Sequence, residues 1–146
     1  MNPKMGLNFY LTKYDLRENP FVDYSEVNMD TIALEIIPFI SYSNISYYDT
    51  TANNQIILGL NTSKNNINFA GNARMFVAKW DDRPVFLGFL WSINFSKRSN
   101  WIIIEDPFEH DGLKVNELRI LANPITHIYV TDRYFLEQLK TDKKLR

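Results

Sequence analysis

Apolar and polar positions alternate along much of this chain, and the clearest pattern lies in residues 74–92. Two apolar runs there flank the polar break Asp81-Asp82-Arg83, and the second run opens with Pro84. Successive side chains of a strand point to opposite faces, so two such runs around a polar break predict a β-hairpin. We expect this hairpin to lie at the centre of the core.

The second arm of the hairpin is apolar or small on both faces, which is typical of a strand that is covered on both sides. Gly88 stands in its middle, although a glycine weakens the interior of a strand. The pattern therefore predicts that an aromatic ring or another backbone segment lies against Gly88.

Further strands are predicted before and after the hairpin. In residues 7–12, Leu7, Phe9 and Leu11 alternate with polar neighbours, so we expect a strand with one buried face. The full set of predicted strands covers residues 7–12, 45–49, 55–60, 73–80, 85–92 and 101–105, with a weaker strand in residues 113–121.

Two segments give an ambiguous pattern. Residues 31–37 mix Ala, Leu and Glu, which favour helix, with Ile and Thr, which favour strand, and Pro38 ends the segment in either case. Residues 61–71 permit a helical turn with Thr62 or Ser63 as its N-cap, but their asparagines favour helix poorly.

The spacing of apolar residues becomes helical near the end of the chain. Thr131 and Asp132 form a good N-cap pair, and helical spacing follows in Tyr134, Phe135, Gln138 and Leu139. The predicted fold is therefore α+β, a mainly antiparallel sheet with a central aromatic hairpin and a C-terminal helix packed on it. At 146 residues, the chain is expected to form a single domain, residues 1–146.

Composition and charge exclude several classes of function. The chain has no cysteine, which removes disulfides and thiolate chemistry, and its formal net charge of -1 gives no reason to expect nucleic acid as a partner. Its one basic cluster, Lys140, Lys143, Lys144 and Arg146, is expected to be a frayed, solvated helix end. No apolar stretch is long enough to predict membrane insertion. The expected location is cytoplasmic if Met1 is the native start, and outside the cytoplasm if a signal segment was trimmed.

Several segments in the middle of the chain follow one another in a recognisable order: Pro38-Phe39-Ile40-Ser41-Tyr42-Ser43-Asn44-Ile45, Tyr47-Tyr48-Asp49, Gln55-Ile56-Ile57-Leu58, Gly71, Met75-Phe76-Val77 and Val85-Phe86-Leu87-Gly88-Phe89-Leu90-Trp91-Ser92. This order resembles a group of small, often exported and uncharacterised bacterial proteins with a P-F-V … Y-x-G-x-F-W-S hairpin. It is similar, more distantly, to the head of the first periplasmic domain of the export subunit SecD. The resemblance implies an α+β module that contacts a substrate. The chain departs from the group at Asp81-Asp82-Arg83-Pro84, where the group has a small turn that contains glycine.

The densest polar cluster lies in residues 105–111, where several carboxylates accompany one imidazole. Such groups can pair as acid and base or bind a hard cation, but their spacing fits no metal motif, and we expect neither a metal nor a cofactor. A small hydrolase or ligand-processing enzyme built on this loop is the alternative function. That enzyme requires Glu105, Glu109, His110 and His127 to converge in one pocket.

Aromatic residues are abundant, with ten Phe, eight Tyr and three Trp. A core of this size does not hide all of them, so we expect some of the following rings to be exposed: Tyr42, Tyr47, Tyr48, Trp80, Trp91, Phe95, Trp101 and Phe108. Exposed tyrosine and tryptophan are typical of binding surfaces.

The connection in residues 92–100 is the candidate interaction surface. It carries Phe95 beside Lys97 and Arg98, and it is flanked by Trp91 and Trp101. In the alternative interpretation, the Phe95 ring packs against the edge of the sheet and has only a structural role. The surface and the missing catalytic motifs favour a non-enzymatic binding or protein-interaction module whose partner is another protein or a peptide.

Overall fold

The computed structural model describes residues 5–15, 28–52, 55–67, 74–91, 102–105, 113–122 and 126–146. The strands are β1 (Leu7–Asp15), β2 (Ile45–Asp49), β3 (Gln55–Leu60), β4 (Arg74–Trp80), β5 (Arg83–Trp91), β6 (Ile102–Glu105) and β7 (Glu117–Leu121). The α-helices are α1 (His127–Val130) and α2 (Arg133–Thr141), and short 3-10 turns cover Tyr42–Asn44 and Lys64–Asn66. The fold is thus α+β and mostly β.

The seven strands form one mixed sheet in the order β1-β4-β5-β6-β7-β3-β2. Strands β4 and β5 form the antiparallel hairpin that the sequence predicts, with Phe76 opposite Gly88. The hairpin occupies the second and third positions of the sheet, while the central strand is β6. Among the described strands, β5 and β6 form the one parallel pair. Parallel neighbours need a crossover connection.

The main core lies between one face of the sheet and the C-terminal helix. Phe135 and Leu139 of α2 are fully buried there, and the ring of Phe135 lies 6.2 Å from that of Phe86 in β5. Asp132 caps the helix, because its carboxylate accepts a hydrogen bond from the Tyr134 backbone amide at 2.8 Å. Within the described residues, no helix is long and apolar enough to cross a membrane.

A second, smaller cluster lies on the opposite face of the hairpin. It consists of four buried residues, Met75, Val77, Leu87 and Phe89. The segment before β2 packs against it through Met29, Ile32 and Leu34. Both faces of β4 and β5 are therefore covered, as the unbroken apolar pattern of β5 predicts.

Strand β1 differs from its prediction because both of its faces are buried. Leu7, Phe9 and Leu11 enter the main core, but Asn8 and Thr12 on the other face are also buried. Their polar atoms have partners that make this possible. The Asn8 side-chain oxygen accepts a hydrogen bond from the Tyr42 amide at 3.0 Å, and the Thr12 hydroxyl donates to the carbonyl of Met75 at 3.2 Å.

The two ambiguous segments are both irregular. Residues 31–37 form neither a helix nor a strand, although Leu34 makes an isolated antiparallel bridge with Thr12. In the segment 61–67, a single 3-10 turn forms with Ser63 as its N-cap, since the Ser63 hydroxyl accepts from the Asn65 amide at 3.2 Å. The helical turn is therefore present and short, as its asparagine content predicts.

The basic C-terminal residues do not form a frayed helix end, so that prediction is wrong in part. Helix α2 ends at Thr141, and Lys143 turns the chain with a φ of 60°. Residues 144–146 then pair with β2, and Leu145 packs against the main core. Backbone hydrogen bonds to a strand edge therefore order these residues, although Arg146 remains exposed.

Candidate interaction surface

The surface predicted around residues 92–100 falls outside the described residues, apart from the Trp91 backbone. Trp91 ends β5, where its backbone is in register with Glu105 of β6. Phe95, Lys97, Arg98 and Trp101 belong to the segment that the structure does not describe. The surface therefore stays a prediction.

The acidic loop is described only at its first residue. Glu105 ends β6, and one of its carboxylate oxygens lies 3.6 Å from Nη1 of Arg119 on the neighbouring strand β7. His127 opens helix α1, while Glu109 and His110 lie outside the described residues. Convergence of these groups in one pocket stays a prediction. Within the described ranges, no group of three or more His, Asp or Glu side chains is arranged to hold a metal ion.

The rings expected at the surface are largely buried wherever the structure describes them. Tyr47, Tyr48 and Trp80 have relative exposures of 9%, 0% and 5%. A register shift in β2 helps to bury the two neighbouring tyrosines, because Tyr47 lies opposite Gly59 while Tyr48 reaches the main core. The Tyr48 hydroxyl donates to the carbonyl of Val130 at 2.6 Å. These three rings belong to the core, and Tyr42 is partly buried. The side chains of Trp91, Phe95, Trp101 and Phe108 lie outside the described residues, so the exposure of some of the eight rings stays a prediction.

Among the described residues, the most exposed large apolar side chains are those of two neighbouring isoleucines. Ile36 and Ile37 have relative exposures of 90% and 78%. They precede Pro38 in a loop beside β1, and we refer to Ile36, Ile37 and Pro38 as the arch. Single exposed apolar residues are ordinary in proteins, whereas two adjacent ones at nearly full exposure call for an explanation.

The shape of the arch follows from a mismatch in chain length. On its two sides, the Glu35 amide donates to the carbonyl of Leu11 at 2.8 Å, and the Phe39 amide donates to the carbonyl of Phe9 at 2.9 Å. The segment from Glu35 to Phe39 contains four residue steps, about 14 Å of extended chain, but it pairs with only two residue steps of β1, about 7 Å. The surplus chain has to leave the sheet edge, and the two isoleucines lie on it.

Both ends of the arch are anchored in the protein. Leu34 packs against the second cluster, and Ile40 on the other side is fully buried in the main core. Ile40 also forms an antiparallel bridge with Phe9. Hydrogen bonds and buried side chains on each side hold the loop in place, so the isoleucines are presented from a fixed base.

A group of polar residues surrounds Tyr47 of β2 and Glu117 of β7. The Tyr47 hydroxyl donates to one carboxylate oxygen of Glu117, and the other oxygen accepts from the Lys114 amide at 3.0 Å. The guanidinium of Arg146 lies 3.7 Å from the centre of the Tyr47 ring. Lys64, with a relative exposure of only 6%, donates from Nζ to the carbonyl of Glu117 at 3.3 Å.

The electrostatics of this group favour structural roles over acid–base chemistry. Burial raises the pKa of Tyr47 to about 12, assisted by its hydrogen bond to Glu117, although Arg146 opposes the shift. Desolvation also acts on Glu117, but the hydrogen bonds from Tyr47 and Lys114 outweigh it and lower the pKa of that carboxyl. Burial lowers the pKa of Lys64, against the opposing charge of Glu117. A protonated phenol on a charged carboxylate is therefore the stable state near neutral pH.

This arrangement predicts an alkaline loss of stability that Tyr47→Phe removes. A phenol whose pKa rises from 10.0 to about 12 on folding contributes stability that is complete below pH 10 and is lost as pH rises to about 12. The advantage of the wild type over Tyr47→Phe in urea denaturation should shrink across that interval. The other tyrosines with a raised pKa, Tyr10, Tyr42 and Tyr48, are present in both proteins. A pH-independent difference would contradict the assignment.

Comparison with known proteins gives no relative for this chain. It matches no protein-family model, no curated protein and no solved structure. The resemblance to small bacterial proteins and to the SecD head therefore stays a prediction.

Proposed function

We propose that this chain is a non-enzymatic protein-interaction module that binds its partner through the arch. The observation that carries the proposal is the exposure of Ile36 and Ile37, at 90% and 78%, on a loop anchored on both sides. The arch lies beside β1, and its residues differ from those of the surface predicted around Phe95.

The energetics of the arch support binding. Burial of an isoleucine side chain contributes about 1.5–3 kcal/mol, and neither isoleucine gains this from the fold. Because the loop is already held by Leu34 and Ile40, a partner orders little additional chain on binding. The arch therefore supplies apolar contact at a low entropic cost.

The surroundings of the arch indicate a partner with a small apolar socket. Two isoleucine side chains offer at most a few hundred Å², well below the roughly 800 Å² per partner of a standard interface. They therefore act as an anchor at the centre of a larger contact. Exposed Glu35 adjoins the arch in sequence, and exposed Lys13 pairs through its backbone with Ala33, so the surroundings offer charges of both signs to a polar rim on the partner.

The test removes the apolar side chains and keeps the loop. A photo-crosslinking residue at position 37 first identifies the partner in an extract of the source cells, and the purified partner is then titrated with wild type and with the double variant Ile36→Ser/Ile37→Ser. We expect affinity to fall at least tenfold, because two buried side chains are lost and each tenfold corresponds to about 1.4 kcal/mol.

A matched control separates the arch from general surface hydrophobicity. Ile128 in α1 has a relative exposure of 64%, and Ile128→Ser removes the same kind of exposed side chain from another element. This control should bind as the wild type does, and both variants should melt at the wild-type temperature. Unchanged binding by the double serine variant would overturn the proposal.

A further inference from the structure

Three residues after helix α2 pair with the outer edge of β2 through an isolated parallel bridge. We refer to Lys144, Leu145 and Arg146 as the strap, which runs parallel to β2 with Leu145 in register with Tyr48. The Tyr48 amide donates to the carbonyl of Lys144 at 2.7 Å, and the Arg146 amide donates to the carbonyl of Tyr48 at 2.9 Å. The Thr50 amide completes the pairing by donating to the Arg146 carbonyl at 2.7 Å.

The side chains of the strap enter three different environments. Leu145 packs against the main core. The Lys144 ammonium lies 3.9 Å from the centre of the Tyr42 ring and donates to the Tyr42 carbonyl at 2.9 Å, while the Arg146 guanidinium lies over Tyr47. The rings of Tyr42 and Tyr47 thus each bind a cation at the edge of β2, and the apolar position between them, which we call the apolar notch, is filled by Leu145.

Residues outside the strap hold the Tyr47 ring in place. A Cβ atom built on Gly59 would clash with that ring, so the glycine allows Tyr47 to lie flat against β3. The hydroxyl is held by Glu117 of β7. Asp49 adds a second carboxylate at this edge, and its pKa is lowered chiefly by the hydrogen bonds that it accepts from Thr51.

The Tyr42 ring is supported in a similar way. It lies against Gly6, where a Cβ atom would clash with the ring, and it meets Trp80 edge-on at 5.2 Å between centroids. Its hydroxyl donates to Asp142, which precedes the strap. Both rings are therefore supported by groups that remain when the strap leaves.

We propose that the edge of β2 is a peptide-binding site and that the strap is its intramolecular ligand. The ligand class is an extended segment with a basic, an apolar and a basic side chain in succession, running parallel to β2. A partner protein that carries such a segment displaces the strap and adds its own strand to the sheet. This site and the arch have no residue in common.

The strap is suited to exchange because it pairs with β2 through a single isolated bridge and Leu145 is only partly buried. The turn at Lys143 connects it to α2. A segment with few buried contacts opens locally more easily than the core strands. While it stays attached, its effective concentration is on the order of millimolar, so a free peptide competes poorly with it.

The test uses a full-length strap variant, Lys144→Ser/Leu145→Gly/Arg146→Ser, and a synthetic peptide with the sequence of residues 142–146. We expect the peptide to bind this variant at least tenfold more tightly than the wild type, whose site is filled. Binding should shift the amide resonances of Tyr48 and Thr50. The proposal is overturned if the folded variant does not bind the peptide.

Control peptides test the chemistry of the ligand. One carries the Leu145→Asp change, and another carries Lys144→Glu and Arg146→Glu. Each should bind the strap variant at least tenfold more weakly than the native peptide, because the first places a charge in the apolar notch and the second removes both ring contacts. Equal binding of all three peptides would overturn the proposed specificity.

Hydrogen exchange of the wild type provides a measurement that does not depend on the variant folding. The Tyr48 and Thr50 amides, which donate to the strap, should exchange through local opening at least tenfold faster than the slowest amides of β4. If they exchange only with global unfolding, at the rate of β4, the strap is a fixed part of the sheet and the proposal fails.

Discussion

Replacement of Phe9 by alanine is expected to destabilise the protein by about 3–5 kcal/mol, the largest loss that we predict for a single truncation. Phe9 is fully buried at the meeting point of three other rings, with centroid distances of 6.3 Å to Phe39, 5.7 Å to Phe76 and 5.9 Å to Phe86. Truncation leaves a cavity between β1, β4 and β5, and the rings around it cannot close the space without leaving their own contacts. The measurement is the free energy of unfolding in urea.

Two variants serve as controls for this prediction. Phe9→Leu keeps most of the buried volume and should cost well under half as much as Phe9→Ala. Tyr134→Ala removes a ring with a relative exposure of 41% and should change stability by about 1 kcal/mol or less. If Phe9→Ala costs no more than Tyr134→Ala, the aromatic cluster is not packed as described.

The strand positions are predictable because alternation is a local property of the sequence. Residues 55–60 and 45–49 are predicted as strands, and β3 and β2 cover Gln55–Leu60 and Ile45–Asp49. The helix is predicted as well, since the cap at Asp132 and the buried pair Phe135 and Leu139 are separated by fixed helical spacings. Each of these signals lies within a few residues of the element that it specifies.

The arrangement of the strands is less predictable because it depends on partners far away in the chain. No local feature of residues 102–105 indicates that β6 joins β5 in parallel, and this pairing displaces the β4–β5 hairpin from the centre of the sheet. The burial of both faces of β1 has a similar cause. Asn8 is polar in sequence, but the distant Tyr42 amide satisfies its side-chain oxygen and allows it to be buried.

The arch could not be found from the sequence. Ile36 and Ile37 are exposed because the segment from Glu35 to Phe39 is longer than the part of β1 that it pairs with. This mismatch becomes visible only in the structure, where Glu35 pairs with Leu11 and Phe39 pairs with Phe9. An isoleucine pair before a proline is equally compatible with a buried strand end.

The composition argument about aromatic rings does not anticipate the burial of Tyr47, Tyr48 and Trp80. It treats tyrosine and tryptophan as surplus once a core of average size is filled. Because Gly59 has no side chain, the Tyr47 ring can pack directly on its backbone, and the Tyr42 ring packs on Gly6 in the same way. Each ring thus covers a stretch of backbone that a larger residue than glycine would cover with its own side chain. Among the described residues, the most exposed large apolar side chains are aliphatic, Ile36 and Ile37.

Replacement of Gly88 by valine is expected to destabilise the protein by at least the 1–3 kcal/mol that overpacking of a core typically costs. A Cβ atom at this position would lie 2.5 Å from the carbonyl oxygen of Ile102 and 2.7 Å from the ring of Phe76. Both are closer than atoms in van der Waals contact. The prediction that a ring or a backbone segment lies against Gly88 is confirmed, because Phe76 supplies the ring and Ile102 supplies the backbone.

The backbone contact makes the cost hard to avoid. Phe76 can tilt by a small angle, but the Ile102 carbonyl belongs to β6, and a shift of β6 disturbs its parallel pairing with β5. Gly88→Ala should therefore already be destabilising, and Gly88→Val should cost more, because its two methyl groups extend further towards the ring.

The neighbouring position provides the matched control. Leu87→Val changes a buried side chain on the same strand and leaves the β5–β6 backbone contact untouched, so it should cost about 0.5–1.5 kcal/mol. Urea denaturation of the three variants at one pH gives the comparison. If Gly88→Val is as stable as the wild type, Phe76 and Ile102 do not lie against the glycine and the strand is open at this point.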